Sequence, residues 1–138
     1  MRYWKTALWF LWAGLSSASE ADLQIENAWV RAPAPGQPNA ALYLTAVNRS
    51  DHPIRLTAAR SPAADRAEFH VHQHAEGMMR MRRVDDVLIA AGDQMKFKPH
   101  GHHLMLLGIK AEQLASGVQF CVADESGAEW CAVADLTD

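Results

Sequence analysis

Histidine and methionine side chains are concentrated in one quarter of this chain. Six of the seven histidines and five of the six methionines lie between residues 70 and 105 of the 138. Imidazole nitrogen binds copper in either oxidation state, and the soft, neutral thioether sulfur selects Cu(I). Zinc prefers thiolate, imidazole and carboxylate, whereas calcium and magnesium need oxygen ligands. The combination therefore predicts a copper site in this segment, with Cu(I) preferred and Cu(II) possible.

The segment that contains the first three of these histidines is predicted to be a strand. Side chains of a strand alternate between its two faces, so the apolar residues Phe69 and Val71 are expected to face the core. His70, His72 and His74 then share the opposite face. We treat His70 as a candidate metal ligand, and His72 and His74 either as auxiliary ligands or as solvated polar residues.

A second strand carries a histidine and a methionine in the same way. Leu104 and Leu106 are expected to face the core, so His103 and Met105 point away from it together. Alternation does not settle the direction of Met81, which fits a core position and a ligand position equally well. If imidazoles bind the copper, its affinity is expected to fall in acid as they protonate near their usual pKa of about 6.5.

The other members of the cluster have weaker claims as ligands. His100 and His102 lie in a turn, where each is either a turn residue or a further ligand. Met78, Met79 and Met95 are expected to pack against other apolar side chains.

Residues 1–21 are typical of a secretory signal peptide. Arg2 and Lys5 precede an uncharged apolar run, and small residues follow at the positions that a signal peptidase reads. The apolar run is well short of the roughly 20 residues that cross a bilayer, so an uncleaved anchor is the less favoured alternative. Cleavage after either Ala18 or Ala21 fits this pattern. We therefore predict that the protein is exported to the periplasm.

Residues 22–138 are long enough for one domain with a modest core. Removal of the signal lowers Lys+Arg from 13 to 11 and Asp+Glu from 16 to 15, so the net charge becomes −4. A mildly acidic domain lacks the basic surface that nucleic acid binding requires. We expect a monomer that binds no nucleic acid and, after signal cleavage, does not insert into a membrane.

Short apolar runs separated by turn residues predict an all-β domain. The predicted strands cover residues 23–31, 41–48, 54–59, 67–73, 78–84, 94–98, 103–109, 118–123 and 130–136. One helical turn is predicted near residues 111–115. Eight or nine short strands without covering helices pack best as two sheets face to face. The sequence thus predicts a small antiparallel β-sandwich with Greek-key connections, in which Trp29 and Tyr43 are core residues.

Two cysteines, Cys121 and Cys131, flank a predicted turn near the C-terminus. The turn residues between them place the two cysteines opposite each other across a hairpin. In an oxidising compartment this arrangement favours a cross-strand disulfide. A reactive or metal-binding cysteine pair is the alternative.

The spacing of four candidate ligands resembles the signature of periplasmic copper chaperones of the PCuAC type. His70, Met81, His103 and Met105 match the pattern H-x10-M-x21-H-x-M. The resemblance extends over roughly residues 23–136 and includes the segments AWVRA, GMMRMR and PHGHHLML.

This resemblance implies a cupredoxin-like β-sandwich that binds Cu(I) through the four motif residues. It also implies a copper-accepting partner: either cytochrome c oxidase subunit II, whose dinuclear copper centre the relatives help to assemble, or another periplasmic copper chaperone. Many relatives carry methionine where this chain has His72. We therefore expect this site to tolerate Cu(II) better than a methionine-rich relative does.

The leading interpretation is a binding and transfer protein, not an enzyme. A blue-copper site would need cysteine beside histidine and methionine, and no histidine or methionine follows Cys121. The enzyme alternative is a copper oxidase or a thiol–disulfide oxidoreductase that uses Cys121 and Cys131, although the chain has no Cys-x-x-Cys motif. A third alternative is a sandwich domain with incidental histidines, which would stay metal-free in the presence of copper.

Overall fold

The computed structural model describes residues 22–137, which form ten β-strands and one short 3-10 helix. The strands are β1 (Leu23–Arg31), β2 (Asn39–Asn48), β3 (Ile54–Arg60), β4 (Ala64–Ala75), β5 (Met78–Arg83), β6 (Val87–Ile89), β7 (Gln94–Phe97), β8 (His102–Ile109), β9 (Val118–Asp124) and β10 (Glu129–Thr137). The 3-10 helix spans Ala111–Gln113. The predicted signal peptide, residues 1–21, lies outside the described residues. Within residues 22–137, no helix is long and apolar enough to cross a membrane.

The strands pair into one sheet that closes on itself. Around the ring the order is β4-β8-β2-β1-β10-β9-β3, and the pairing of Ala59 on β3 with Ala67 on β4 completes the circle. β5 extends the sheet beyond β4, while β6 and β7 add to β3 and β2. β1 and β10 run parallel, whereas the other strand pairs within residues 22–137 are antiparallel. The predicted all-β class is confirmed, and the closed sheet forms a barrel.

One strand of the structure was not predicted from the sequence. β6 has only three residues, which are too few to show the alternation that identifies a strand. Val87 and Ile89 are buried, whereas Leu88 between them is exposed. The short strand therefore still follows the period of two and adds two side chains to the core.

The barrel interior is filled by the inward-facing residues of each strand. Phe69 on β4 and Leu104 and Leu106 on β8 are buried in the core, as alternation predicted. Burying each such side chain is worth about 1.5–3 kcal/mol. Because these residues occupy the interior, the residues between them on β4 and β8 must point to the outer face of the sheet. Val71, which was also expected to face the core, is only partly buried and does not belong to the core cluster.

Trp29 and Tyr43 pack together on this outer face rather than among the interior side chains. They are opposite each other on β1 and β2, and their ring centroids are 4.5 Å apart. Val30 and Leu42, their neighbours in sequence, take the interior positions. Tyr43 is nevertheless buried, whereas Trp29 is only partly buried.

Candidate metal centre

Three neighbouring strands, β5, β4 and β8, bring the candidate ligands to one outer face. Residues directly opposite each other in an antiparallel pair project from the same face. The opposite pairs on this face are His70 with His103, Glu68 with Met105, His72 with Met81, and His74 with Met79. All four residues of the spaced motif therefore lie on one face, although they come from three different strands.

Several imidazole rings lie close together on this face. The centroid of the His103 ring lies 5.3 Å from that of His72 and 5.7 Å from that of His70. His100 lies at the rim of this group, with its ring centroid 5.8 Å from that of His72. Since metal–nitrogen bonds are about 2 Å long, one ion could join two rings at this spacing.

The hydrogen bonding of His103 leaves one ring nitrogen with a free lone pair. Its Nδ1 lies 3.4 Å from the carbonyl oxygen of Gly101, which can only accept, so the ring proton is on Nδ1. Nε2 is buried and has no hydrogen-bond partner among the described residues. A buried polar atom without a partner is unfavourable, and a copper ion bound to Nε2 would satisfy it.

His70 has the same arrangement, with a carboxylate in place of the carbonyl. Its Nε2 lies 3.0 Å from Oε2 of Glu68 and donates to it, which leaves the lone pair on Nδ1. This Nδ1 is also buried, and nothing in residues 22–137 donates to it. Metal-binding histidines commonly donate their second ring N–H to a carboxylate or carbonyl, which fixes the tautomer and the ring orientation.

Glu68, which was not predicted from the sequence, orients the candidate ligand His70. The hydrogen bond from His70 is the main reason that the pKa of Glu68 lies below its ordinary value, so the carboxylate is charged and accepts. The signal in the sequence is its position two residues before His70, because residues at that spacing share a strand face.

Burial changes the titration of His103. Removal from water lowers the pKa of His103 to about 4; the Gly101 carbonyl opposes this change, and neighbouring imidazoles reinforce it. His103 is only 1% exposed. It therefore stays neutral, and able to bind a metal, at a pH where an ordinary imidazole is protonated. The expectation of ordinary titration near pH 6.5 is wrong for His103, because the sequence pattern gave its face but not its burial.

The two thioethers of the motif lie in different environments. Met81, whose direction the sequence left open, is 52% exposed and lies opposite His72. Met105 is 8% exposed and lies two residues along β8 from His103. One sulfur is thus within reach of a partner molecule, and the other is covered.

The packing roles predicted for the remaining methionines hold for only one of them. Met95 is partly buried against the core. Met78 and Met79 are 56% and 48% exposed, so the packing prediction is wrong for both. They lie on β5, an edge strand that extends beyond the barrel and therefore has no second layer to pack against.

His102 is not part of the candidate site. Its ring packs against Phe97, with 6.1 Å between the centroids. It follows the alternation of β8, which directs it to the face opposite that of His103.

The cysteines are joined to each other, away from the histidines. Cys121 and Cys131 form a disulfide and lie directly opposite each other on β9 and β10. Glu129 lies close to both sulfurs, but sulfurs bonded to each other do not provide thiolate ligands. In the ring of strands, β3 separates β9 from β4, and β1 and β2 separate β10 from β8.

Comparison with known proteins identifies similar folds that bind copper. The family model of LpqE-like lipoproteins matches residues 23–123. The copper-bound PCuAC domain from PmoF2 is 26% identical, with a TM-score of 0.68 over 84% of this chain and 92% of that domain. The solution structure of CuI-DR1885 from Deinococcus radiodurans is 28% identical, with a TM-score of 0.66 over 91% of this chain and 85% of that one. No curated protein sequence matches this chain at a significant level.

Proposed function

Because this chain belongs to the LpqE-like family, which is of the PCuAC type, we propose that it is a copper chaperone. It binds Cu(I) through His70, Met81, His103 and Met105 and transfers the ion to a partner protein. Its role is binding and transfer rather than catalysis. Copper is the cargo of this protein, so the site must both hold the ion and release it.

One observation carries this proposal: two neighbouring imidazole rings each have a buried nitrogen with a free lone pair. Nδ1 of His70 and Nε2 of His103 both lack hydrogen-bond partners within residues 22–137, and their rings are 5.7 Å apart. In each ring the other nitrogen donates to an oxygen. Such a pair is preorganised for a cation that accepts nitrogen ligands, and thioethers on the same face favour Cu(I).

The difference in exposure between the ligands suggests an order of release. Met81 is exposed, whereas His103 and Met105 are covered. A ligand from the partner would therefore replace Met81 first and the buried imidazole last. Each new copper–ligand bond forms as an old one breaks, and copper remains Cu(I), so no electron donor is needed.

The proposed compartment and recipient follow from the same chemistry. We propose that the protein is exported and works in the periplasm, where thioethers persist as ligands while cysteines form disulfides. We further propose that it supplies copper to cytochrome c oxidase subunit II, or to another periplasmic copper chaperone that does so. The disulfide between Cys121 and Cys131 supports an oxidising compartment.

The proposed ligands can be tested by anaerobic competition with a coloured Cu(I) chelator. Met81→Leu and Met105→Leu are each expected to weaken Cu(I) binding about tenfold, or about 1.4 kcal/mol. Met78→Leu is the matched control, because Met78 is an exposed methionine of the same strand that lies opposite Ala75 instead of an imidazole. Equal affinities in all four proteins would contradict the proposed site.

The recipient can be tested separately by mixing the Cu(I)-loaded protein with the copper-free soluble domain of cytochrome c oxidase subunit II. After separation by gel filtration, copper should be found with the oxidase domain. Copper that stays on this protein at equilibrium would contradict delivery to that recipient but not copper binding.

His72 is expected to determine the tolerance for Cu(II). The His103 ring lies closer to the His72 ring than to the His70 ring. Imidazole binds Cu(II) as well as Cu(I), whereas thioether selects Cu(I). His72→Met is therefore expected to shift the preference toward Cu(I). Competition assays with both ions, in wild type and variant, would show equal preferences if His72 had no part in binding.

A further inference from the structure

The hairpin of β4 and β5 continues the pairing of imidazole and thioether beyond the spaced motif. His72 lies opposite Met81, and two residues farther along the hairpin His74 lies opposite Met79. Neither His74 nor Met79 belongs to the motif. Both are exposed, and both project from the same face as the candidate metal centre.

We propose that His74 and Met79 form a second, outer Cu(I) site through which copper enters and leaves the buried centre. This inference rests on the proposed chaperone function and adds a path to it. Copper first binds between His74 and Met79, then moves to His72 and Met81, and finally reaches His103.

The spacing of the side chains suits such a path. Side chains directly opposite each other in an antiparallel pair have Cβ atoms about 4.5–5.5 Å apart, a gap that one ion can bridge with a nitrogen on one side and a sulfur on the other. Successive pairs on one face are about 6.6 Å apart along the strand. Methionine has three rotatable side-chain bonds, so its sulfur can follow the ion over part of that distance.

The exposure of the histidines falls along the proposed path. His74 is exposed, His72 is partly buried, and His103 is 1% exposed. An ion between exposed ligands is easily lost to water or to a partner, whereas an ion at His103 is shielded from both. The outer pair is therefore suited to exchange, and the inner centre to retention.

A positively charged side chain on β5 lies next to the proposed path. The next residue of β5 on this face is Arg83, which lies opposite His70. A guanidinium carries a permanent positive charge and has no lone pair for a metal. The ion is therefore directed away from β5 at this level, toward His103 on β8, which lies on the other side of His70.

Each step of the path is a ligand exchange without electron transfer. A bond from copper to a nitrogen or sulfur of the next pair forms as a bond to the previous pair breaks. The ion stays Cu(I), and the ligands are neutral imidazole and thioether. No oxidant, reductant or proton acceptor is needed.

The test compares the double variant His74→Asn/Met79→Leu with wild type, under anaerobic conditions and with Cu(I) supplied by a coloured chelator. We call the candidate metal centre of His70, Met81, His103 and Met105 the tight site. Wild type is expected to bind a second, weaker equivalent of Cu(I) and to load the tight site faster than the double variant. The tight-site affinity should be the same in both proteins. Met78→Leu is the matched control, since Met78 is also an exposed methionine of the same hairpin but faces no imidazole, and it should behave as wild type does.

A second measurement locates the outer ion. Ag(I), a stable substitute for Cu(I), should shift the methyl NMR signal of Met79 only after the tight site is filled, and should leave that of Met78 in place. If the double variant matches wild type in stoichiometry and loading rate, the outer site does not exist, although a single tight equivalent would still support the chaperone function. If wild type binds no Cu(I) at all, the proposed function itself is wrong.

Discussion

The buried imidazole of His103 should make the copper-free protein less stable in acid, in a way that one substitution can isolate. The pKa of His103 in the folded protein is about 4, whereas an imidazole in the unfolded chain titrates near 6.5. Between these values the unfolded chain binds a proton that the folded protein does not. Stability therefore rises with pH across this window, and it is lost as the pH falls from about 6.5 toward 4.

The size of this effect follows from the difference between the two pKa values. Integration of the linkage relation gives a loss of about 2 kcal/mol at pH 5 and about 3 kcal/mol at pH 4, relative to neutral pH. Well below pH 4 both states carry the proton, so the contribution of His103 no longer changes. For a domain of this size, with a stability of roughly 5–15 kcal/mol, the loss is large enough to measure.

The assay is urea unfolding of the copper-free protein at pH 7.5, 5 and 4, with a chelator present, for wild type and His103→Asn. Asparagine keeps an N–H donor that can point to the Gly101 carbonyl, but it does not titrate. The smaller side chain lowers stability at every pH, so the informative quantity is the change with pH. Wild type should lose about 2 kcal/mol more than the variant between pH 7.5 and pH 5. Equal losses would refute the conclusion that His103 is held neutral by burial, because all other titrating groups are common to both proteins.

Three further predictions concern stability away from the candidate centre, each measured by urea unfolding. Gly108→Ala should lower the free energy of unfolding by about 1–2 kcal/mol, because Gly108 has a φ of +70° and alanine resists that conformation. The new methyl group would also collide with the Asp65 carboxylate. An added Asp65→Ala should therefore recover only the steric part of the loss, and complete recovery would exclude backbone strain. Asn48→Ala should cost about 1–3 kcal/mol, because the buried amide donates to three main-chain carbonyls; a neutral result would mean that water replaces it. Replacing Cys121 and Cys131 by alanine should lower the free energy of unfolding by about 3 kcal/mol, because the disulfide spans 10 positions. The Cu(I) affinity should stay unchanged, and a loss of affinity would instead connect the disulfide to the metal site.

Much of the local structure could be predicted from the sequence because strand periodicity is a local property. Phe69, Leu104 and Leu106 face the core as predicted, and this fixes the opposite face for His70 and His103. Nine of the ten strands of residues 22–137 were predicted near their observed positions. The tenth, β6, was missed because a run of three residues gives no period to detect.

The sequence does not determine which face of the sheet Met81 lies on, because its position in this short edge strand fits the alternation pattern on either face. Its face depends on which residue of β4 it lies opposite, and that residue is His72. The exposure of Met78 and Met79 was missed for a related reason. The residues of β5 and its neighbours in sequence do not show that no other part of the chain packs over this strand.

The sequence by itself indicated which metal the candidate ligands suit, since residue types and their spacing decide which ion a set of side chains can bind. Only the tertiary structure decided how these candidate ligands are positioned. The pairing of β4 with β8 places His70 beside His103, buries the His103 ring and leaves one lone pair free on each imidazole. These properties depend on contacts between segments that are distant in the chain. The spacing of residues along one strand carries no information about the register of its neighbour or the depth of its cover.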